Sequence, residues 1–308
     1  MFKKLFLPVG ILLAVIWSLT FPGAGLFCKS YIGTPAMIVA IFLVSGMQMK
    51  FDELKIDRKF ILGLLAGAIF TLIFLPLTGW IGIGWIEQDK ALLAGLLIML
   101  AAPPTLSSGI VMTRQANGNM MFSIAITVFY NLAAILTLPL MLGFLLNAAN
   151  LGDVDSWKMF QQLIFTVMIP LFIGFMVKKY ILRRFWHTFI DYIPLIATIM
   201  LSLAFFATAR ESIIAISGGT VLLVLAAALF FHIASMVALW IISRILKMNA
   251  ADTKGMIFCG ASKSATMALA MVAIAGLETT AAAVPCLLFY ALQLFLDAAL
   301  ANSARRFN

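Results

Sequence analysis

The chain has 308 residues and a formal net charge of +9, with 64% hydrophobic and only 11% charged residues. A soluble domain carries about 45–50% apolar and about 25% charged residues, and its interior is too small to hide this excess, so a soluble fold is excluded. With a mean hydropathy of +1.10, the composition predicts a polytopic all-α membrane protein.

A membrane-spanning helix takes about 20 mostly apolar residues. Along the chain, such stretches fall at 5–25, 33–49, 60–84, 91–113, 119–148, 159–178, 192–209, 218–243, 255–276 and 280–301, predicting ten spans. The first starts just after Lys3 and Lys4 and lacks a small-residue cleavage site, so it reads as an uncleaved helix. The basic residues lie in short clusters between apolar runs rather than on one face, which argues against a nucleic-acid partner. Cys28, Cys259 and Cys286 are far apart without CxxC spacing, and His187 and His232 are isolated. No disulfide framework, zinc site or other resident cofactor follows from them.

The loops alternate in charge. One set holds Lys3, Lys4, Lys50, Lys55, Arg58, Lys59, Arg114, Lys178, Lys179, Arg183, Arg184, Arg244, Lys247, Lys254, Arg305 and Arg306; the other holds Lys29, Lys90, Lys158 and Arg210. The positive-inside rule then predicts an even span count with both termini cytoplasmic. The short loops and uncleaved first helix suggest a bacterial inner membrane, with an organellar or Golgi membrane as the alternative.

Spans 4 and 9 are interrupted. Span 4 carries Ala102-Pro103-Pro104-Thr105-Leu106-Ser107-Ser108-Gly109, and span 9 carries Cys259-Gly260-Ala261-Ser262-Lys263-Ser264-Ala265-Thr266. Prolines remove backbone donors and disfavour the helical conformation before them, so span 4 should unwind. Each interruption lies in the fourth helix of a five-helix half, and five is odd, so the halves 1–150 and 151–308 are expected as inverted repeats. Paired broken helices in inverted halves point to a solute or ion site near the bilayer midplane.

At these segments the chain resembles a known family. Pro104 through Arg114, followed by Asn117-Gly118-Asn119, is similar to the fourth-helix signature of the bile acid:sodium symporters, and Phe258-Cys259-Gly260-Ala261-Ser262-Lys263-Ser264 to the ninth. Gly46-Met47-Gln48-Met49, with Phe51 and Leu54, resembles the end of that family's second helix, and Pro103-Pro104-x-x-Ser107-Ser108 the pattern of its SBF-like branch. The resemblance implies a panel domain (helices 1, 2, 6 and 7), a core domain (helices 3–5 and 8–10), crossed helices 4 and 9, and alternating access. It also implies a sodium ion held by oxygens of helix 4, helix 5 and a helix 9 glutamate. Ser108, Ser123 and Thr127 carry over as metal ligands, whereas Gly109 stands where the symporters have asparagine.

On helix 9 the symporters' Glu-x-Gly-x-Gln-Asn is replaced by Ser262-Lys263-Ser264-Ala265-Thr266. At about 4 Å and an effective dielectric near 20, two unit charges interact by about 4 kcal/mol, so an ionised Lys263 at that site would oppose sodium. An intramembrane cation is a functional candidate by default. The ammonium is expected to replace the missing ion among Ser107, Ser108, Ser123 and Thr127, with coupling through its protonation or through an anionic solute. The competing reading has Lys263 snorkelling to the cytoplasmic surface. Thr105, Ser262, Ser264 and Thr266 complete the candidate ligands.

Asn131 shares the face of Thr127 and either lines the pocket or bonds a neighbouring helix; Gln293 has the same two readings. Asp297 reads as an interfacial anchor, His232 as a bridge between helices, and Gln48 as facing the interdomain crevice.

The leading function is a secondary transporter of a small organic, anionic solute, with Na+ or H+ as coupling ion, and not an enzyme. A non-transporting regulator on the same fold and an intramembrane Ser–Lys hydrolase are the alternatives. The partners expected are the solute and the lipid bilayer.

Overall fold

A computed structural model describes residues 2–48, 57–82, 89–105, 108–148, 155–181, 190 and 192–304. Among the described residues every regular element is helical. Met49, Lys50, Phe51, Leu54, Lys55, Leu106, Ser107, Lys179, Arg183, Arg184, His187, Arg305 and Arg306 figure in the sequence expectations; the side chains of all of these, and of Lys3 and Lys4, lie outside the description.

The first half of the chain forms α1 (Phe2–Thr20), α2 (Gly23–Phe27), α3 (Thr34–Gln48), α4 (Arg58–Ile69), α5 (Leu75–Gly82), α6 (Lys90–Ala101), α7 (Ser108–Gln115) and α8 (Met120–Ala148). The second forms α9 (Ser156–Leu163), α10 (Ile169–Ile181), α11 (Ile193–Thr208), α12 (Arg210–Ile214), α13 (Gly218–Ile245), α14 (Ala250–Gly260), α15 (Ala265–Ile274) and α16 (Ala283–Ala304). Single π turns at Phe70–Phe74 and Ile164–Met168 join α4 to α5 and α9 to α10. Polar caps set several starts: the Asp57 carboxylate accepts from Phe60 N at 2.7 Å, and that of Asp89 from Ala91 N at 3.0 Å. Each cap satisfies an N–H that the first turn leaves open.

By length and composition, six helices among the described residues can cross a membrane: Arg58–Ile81, Met120–Ala148, Ser156–Lys178, Gly218–Ile245, Ala250–Ile274 and Ala283–Ala304. A seventh counts if the pair Val9–Thr20 and Gly23–Ile32, bent by 103°, is one span. That bend departs from the single helix expected over 5–25; it falls at Phe21-Pro22, where proline cannot continue the hydrogen-bond ladder. Expected spans 2, 4 and 7 coincide with shorter apolar helices, Thr34–Gln48, Lys90–Ala101 and Ile193–Thr208. At 12 residues, α6 is about 18 Å long, because the proline pair stops it short.

The helices sort into two sets by contact. In one, α1, α2, α3, α10 and α11 pack on each other; in the other, α4 to α8 pack with α13 to α16. Backbones in the first set come very close: a Cβ added to Gly46 would lie 2.0 Å from the Leu171 carbonyl oxygen, and one on Gly174 1.9 Å from that of Leu43. The interrupted segments are the most enclosed. The best window of Ala250–Ile274 is 78% buried, against 28% for Ser156–Lys178, and Leu92 through Ala101 of α6 are all buried. Irregular backbone at membrane depth is tolerated where protein surrounds it, and that is where these breaks sit.

Candidate functional site

The site grows from backbone groups that the two breaks leave without helical partners. In an α-helix the carbonyl of residue i accepts from the N–H of i+4. The partner of Leu100 would be Pro104, which has no N–H, and the chain beyond Ala102 is no longer helical. The break in span 9 crosses directly over this point: Ser264 N donates to the Pro103 carbonyl at 2.9 Å. Asn131 Nδ2 donates to the Pro104 carbonyl at 3.0 Å and to that of Thr127 at 2.7 Å. Of its two sequence readings, the structure gives the bond to the neighbouring chain segment. Each break restarts with a cap. The Thr105 hydroxyl accepts from Gly109 N at 3.3 Å, and the Ser264 hydroxyl from Met267 N at 3.3 Å.

Lys263 fills the centre of the crossing and is fully buried. Its Nζ donates to the carbonyls of Leu100 at 2.7 Å, Ala102 at 2.9 Å and Thr71 at 3.1 Å. Three acceptors match the three donors of an ammonium group. Two of them stand at the C-terminal end of α6, where the helix dipole favours a cation. The third belongs to the π turn Phe70–Phe74, a geometry that alters the carbonyl pairing of the helix. The peptide of Lys263 is held as well: its N–H donates to Gln293 Oε1 at 2.9 Å, and Gln293 Nε2 donates to its carbonyl at 2.7 Å. The side chain therefore points inward and does not snorkel.

This arrangement differs from the ring of hydroxyls expected around the ammonium. Ser123 and Thr127 are buried on one face of α8, but they bond elsewhere. Ser123 Oγ donates to Thr113 Oγ1 at 3.0 Å, Thr127 Oγ1 donates to the Ser123 carbonyl at 2.9 Å, and Ser108 Oγ pairs with Thr105 Oγ1 at 2.5 Å. Ser262 Oγ donates to the Cys259 carbonyl at 2.9 Å. Hydroxyls satisfied in this way leave the cation to main-chain oxygens, because a short Ser or Thr side chain in a helix readily turns back to the preceding turn.

Next to the crossing, a crevice of about 60 Å³ separates the two helix sets. Thr105, Ser264 and Thr266 from the breaks and Tyr290 from α16 line it opposite Ser45 of α3 and Thr198 of α11. The Thr198 and Thr266 hydroxyls lie 3.3 Å apart across it. Ser45, Thr198 and Tyr290 were not singled out in the sequence; their only signal is a hydroxyl on an otherwise apolar span. Asp297 is not interfacial: it is buried and its Oδ1 lies 2.9 Å from His232 Nε2.

Comparison with known proteins identifies relatives along the chain. The profile of the SBF-like CPA transporter family matches residues 5–306. Sodium/bile acid cotransporter 7 of Xenopus tropicalis is 28% identical over 274 residues, covering 85% of this chain and 79% of its own. The protein of the same name from Rattus norvegicus is 26% identical over 317 aligned positions, covering 97% and 92%. The probable sodium/metabolite cotransporter BASS4, chloroplastic, of Arabidopsis thaliana is 30% identical over 175 residues, covering 56% of this chain and 40% of its own. Matched along almost its whole length, the chain belongs to the SBF-like CPA transporter family, a family of multi-pass membrane transporters rather than enzymes.

Proposed function

We propose that this protein is a secondary transporter of a small organic anion, working by alternating access, in which the ammonium of Lys263 takes the place of the coupling cation. The observation that carries the reading is the seat of that ammonium, three main-chain carbonyls at the crossing of the two breaks. A tethered cation there makes a bound sodium ion redundant. The relatives' names describe sodium cotransporters, and in this reading the lysine replaces the ion they couple to. Thr105, Ser264 and Thr266 then shape the solute crevice, while Asn131 and Ser262 hold the backbone of the two breaks.

A ten-span topology with inverted halves, 1–150 and 151–308, fits the contacts between loops. Asn119 Nδ2 donates to Asp252 Oδ1 at 2.6 Å and Lys59 Nζ to the Lys247 carbonyl at 3.0 Å, all from loops assigned to the cytoplasmic side. Lys29 pairs with Glu278 at 2.6 Å, both from loops assigned to the opposite side. The separate packing of the two helix sets supports a panel and a core. A crevice of about 60 Å³ has room for a few waters, so an organic solute enters only when the sets separate. The α15 N-terminus at the crevice favours an anion.

The test is thermal stability of the purified protein against a series of small carboxylates and sulfonates beside uncharged analogues, followed by uptake of any stabilising compound into proteoliposomes. Stabilisation and uptake confined to anions are expected. Stabilisation by the uncharged analogues alone would overturn the anionic assignment.

A further inference from the structure

A second buried ionic group lies away from the crossing. Among the described residues, His232, Lys263 and Asp297 are the buried acidic or basic side chains. His232 sits on α13 and Asp297 on α16, in direct contact through Nε2 and Oδ1 at 2.9 Å. The other ring nitrogen, Nδ1, is buried without a hydrogen-bond partner among the described residues. A histidine kept only to tie two helices would ordinarily place both nitrogens. Here one is left open, on a pair that a hydrogen bond already orients.

Charge balance gives that open nitrogen a use. With a neutral imidazole and an ionised carboxylate the pair carries one negative charge; one added proton makes it neutral. A net charge buried in the membrane interior is costly unless compensated. The buried ammonium among the described residues is that of Lys263, and its peptide is held by the helix that carries Asp297. Gln293, which brackets the Lys263 peptide, stands one turn before Asp297 on α16.

The elements packed against α13 are α16, α14, α4, α6 and α5. Their titratable or charged side chains are Cys286, Tyr290 and Asp297 on α16, Asp252, Lys254 and Cys259 on α14, Arg58 and Lys59 on α4, and Lys90 on α6, with none on α5. Arg244 is at the far end of α13 itself. Of these, Asp297 alone is a buried carboxylate.

We propose that the His232–Asp297 pair is a proton-binding site, which takes one proton from water and returns it as the helices move. The bond formed and broken is an N–H at the imidazole, with water as donor and acceptor. Because both residues are buried in this conformation, exchange requires the rearrangement that opens the crevice. The site thus gives the transporter proposed above an ion other than sodium. It rests on the transporter reading for that role, but its test needs no solute.

The chain has only two histidines, His187 and His232, so a full-length sample labelled with 15N-histidine gives two imidazole spin systems, assigned with a His187→Gln variant. Spectra would be recorded from about pH 5 to about pH 8, with a thermal melt at each pH to show that the fold persists. Expected is a His232 signal that gains a second protonated nitrogen within that range in the wild type and responds differently in Asp297→Asn. A His232 signal invariant across that range, or one indifferent to Asp297→Asn, would make the pair a structural tie and overturn the proposal. Failure of anions to stabilise the protein would leave this result untouched.

Discussion

At the scale of single residues, one cation answers several main-chain acceptors at once. Lys263→Met keeps most of the packing volume but leaves the carbonyls of Thr71, Leu100 and Ala102 without their donor. An unsatisfied buried group costs about 1–3 kcal/mol, so a clear fall in melting temperature is expected, with loss of uptake. Asn131→Leu removes the donor to the Pro104 and Thr127 carbonyls and should destabilise by about 1–3 kcal/mol on the same ground; a stability unchanged in a thermal melt would contradict that assignment. Lys263, whose burial decides against the snorkelling alternative, was visible in the sequence because an ammonium inside an apolar span is costly. Its acceptors were not, since a main-chain carbonyl leaves no mark in the residue it belongs to. Leu100 carried no mark in the sequence, and Ala102 figured only as the first residue of the span 4 break. Asp297 was misread as interfacial because its partner lies 65 positions earlier, and only the packing of α13 on α16 joins them.

At the scale of elements, the proline pair both ends α6 and frees the carbonyl that binds Lys263. Pro104→Ala returns the missing N–H to Leu100, so α6 can extend and compete with the ammonium for that oxygen. A helical alanine gains up to about 3 kcal/mol over proline, offsetting the weakened contact. Overall stability should therefore hold within about 1–2 kcal/mol, while uptake falls about tenfold or more, tenfold being about 1.4 kcal/mol in a barrier. A variant with undiminished uptake would show that the break is only a kink. In the other set of helices, Gly174→Ala forces a methyl group against the Leu43 carbonyl. Overpacking of this kind costs about 1–3 kcal/mol, read as lowered thermal stability. The positions of both breaks were legible from proline, glycine and hydroxyl residues in apolar runs. The bend at Phe21-Pro22 was passed over because the apolar run continues through it, and hydropathy does not register a change of direction.

At the scale of the whole molecule, two sets of helices face each other across a narrow crevice in which a few hydroxyls interrupt an apolar lining. If they move against one another during transport, a bond across the crevice must stop it. Thr198 and Thr266 are suitably placed, with hydroxyls 3.3 Å apart. Thr198→Cys/Thr266→Cys is expected to lose uptake on oxidation and recover it on reduction, while each single variant stays active. The overall helical character was evident from composition alone. The facing of Ser45 and Thr198 toward the breaks was not, because hydroxyls scattered on apolar helices acquire a shared surface only after the helices dock.

The central claim is that Lys263 stands in for the coupling cation, and sodium binding tests it most directly. Melting temperatures of the wild type and Lys263→Ala would be followed as sodium replaces potassium at constant ionic strength. A ligand present at 100 times its dissociation constant adds about 2.7 kcal/mol to a folded state that alone binds it. The account predicts no sodium-specific shift for the wild type and a clear one for Lys263→Ala, in which the vacated carbonyls accept the ion. A sodium-specific shift in the wild type would contradict it, and would mean that an ion binds beside the lysine rather than being replaced by it.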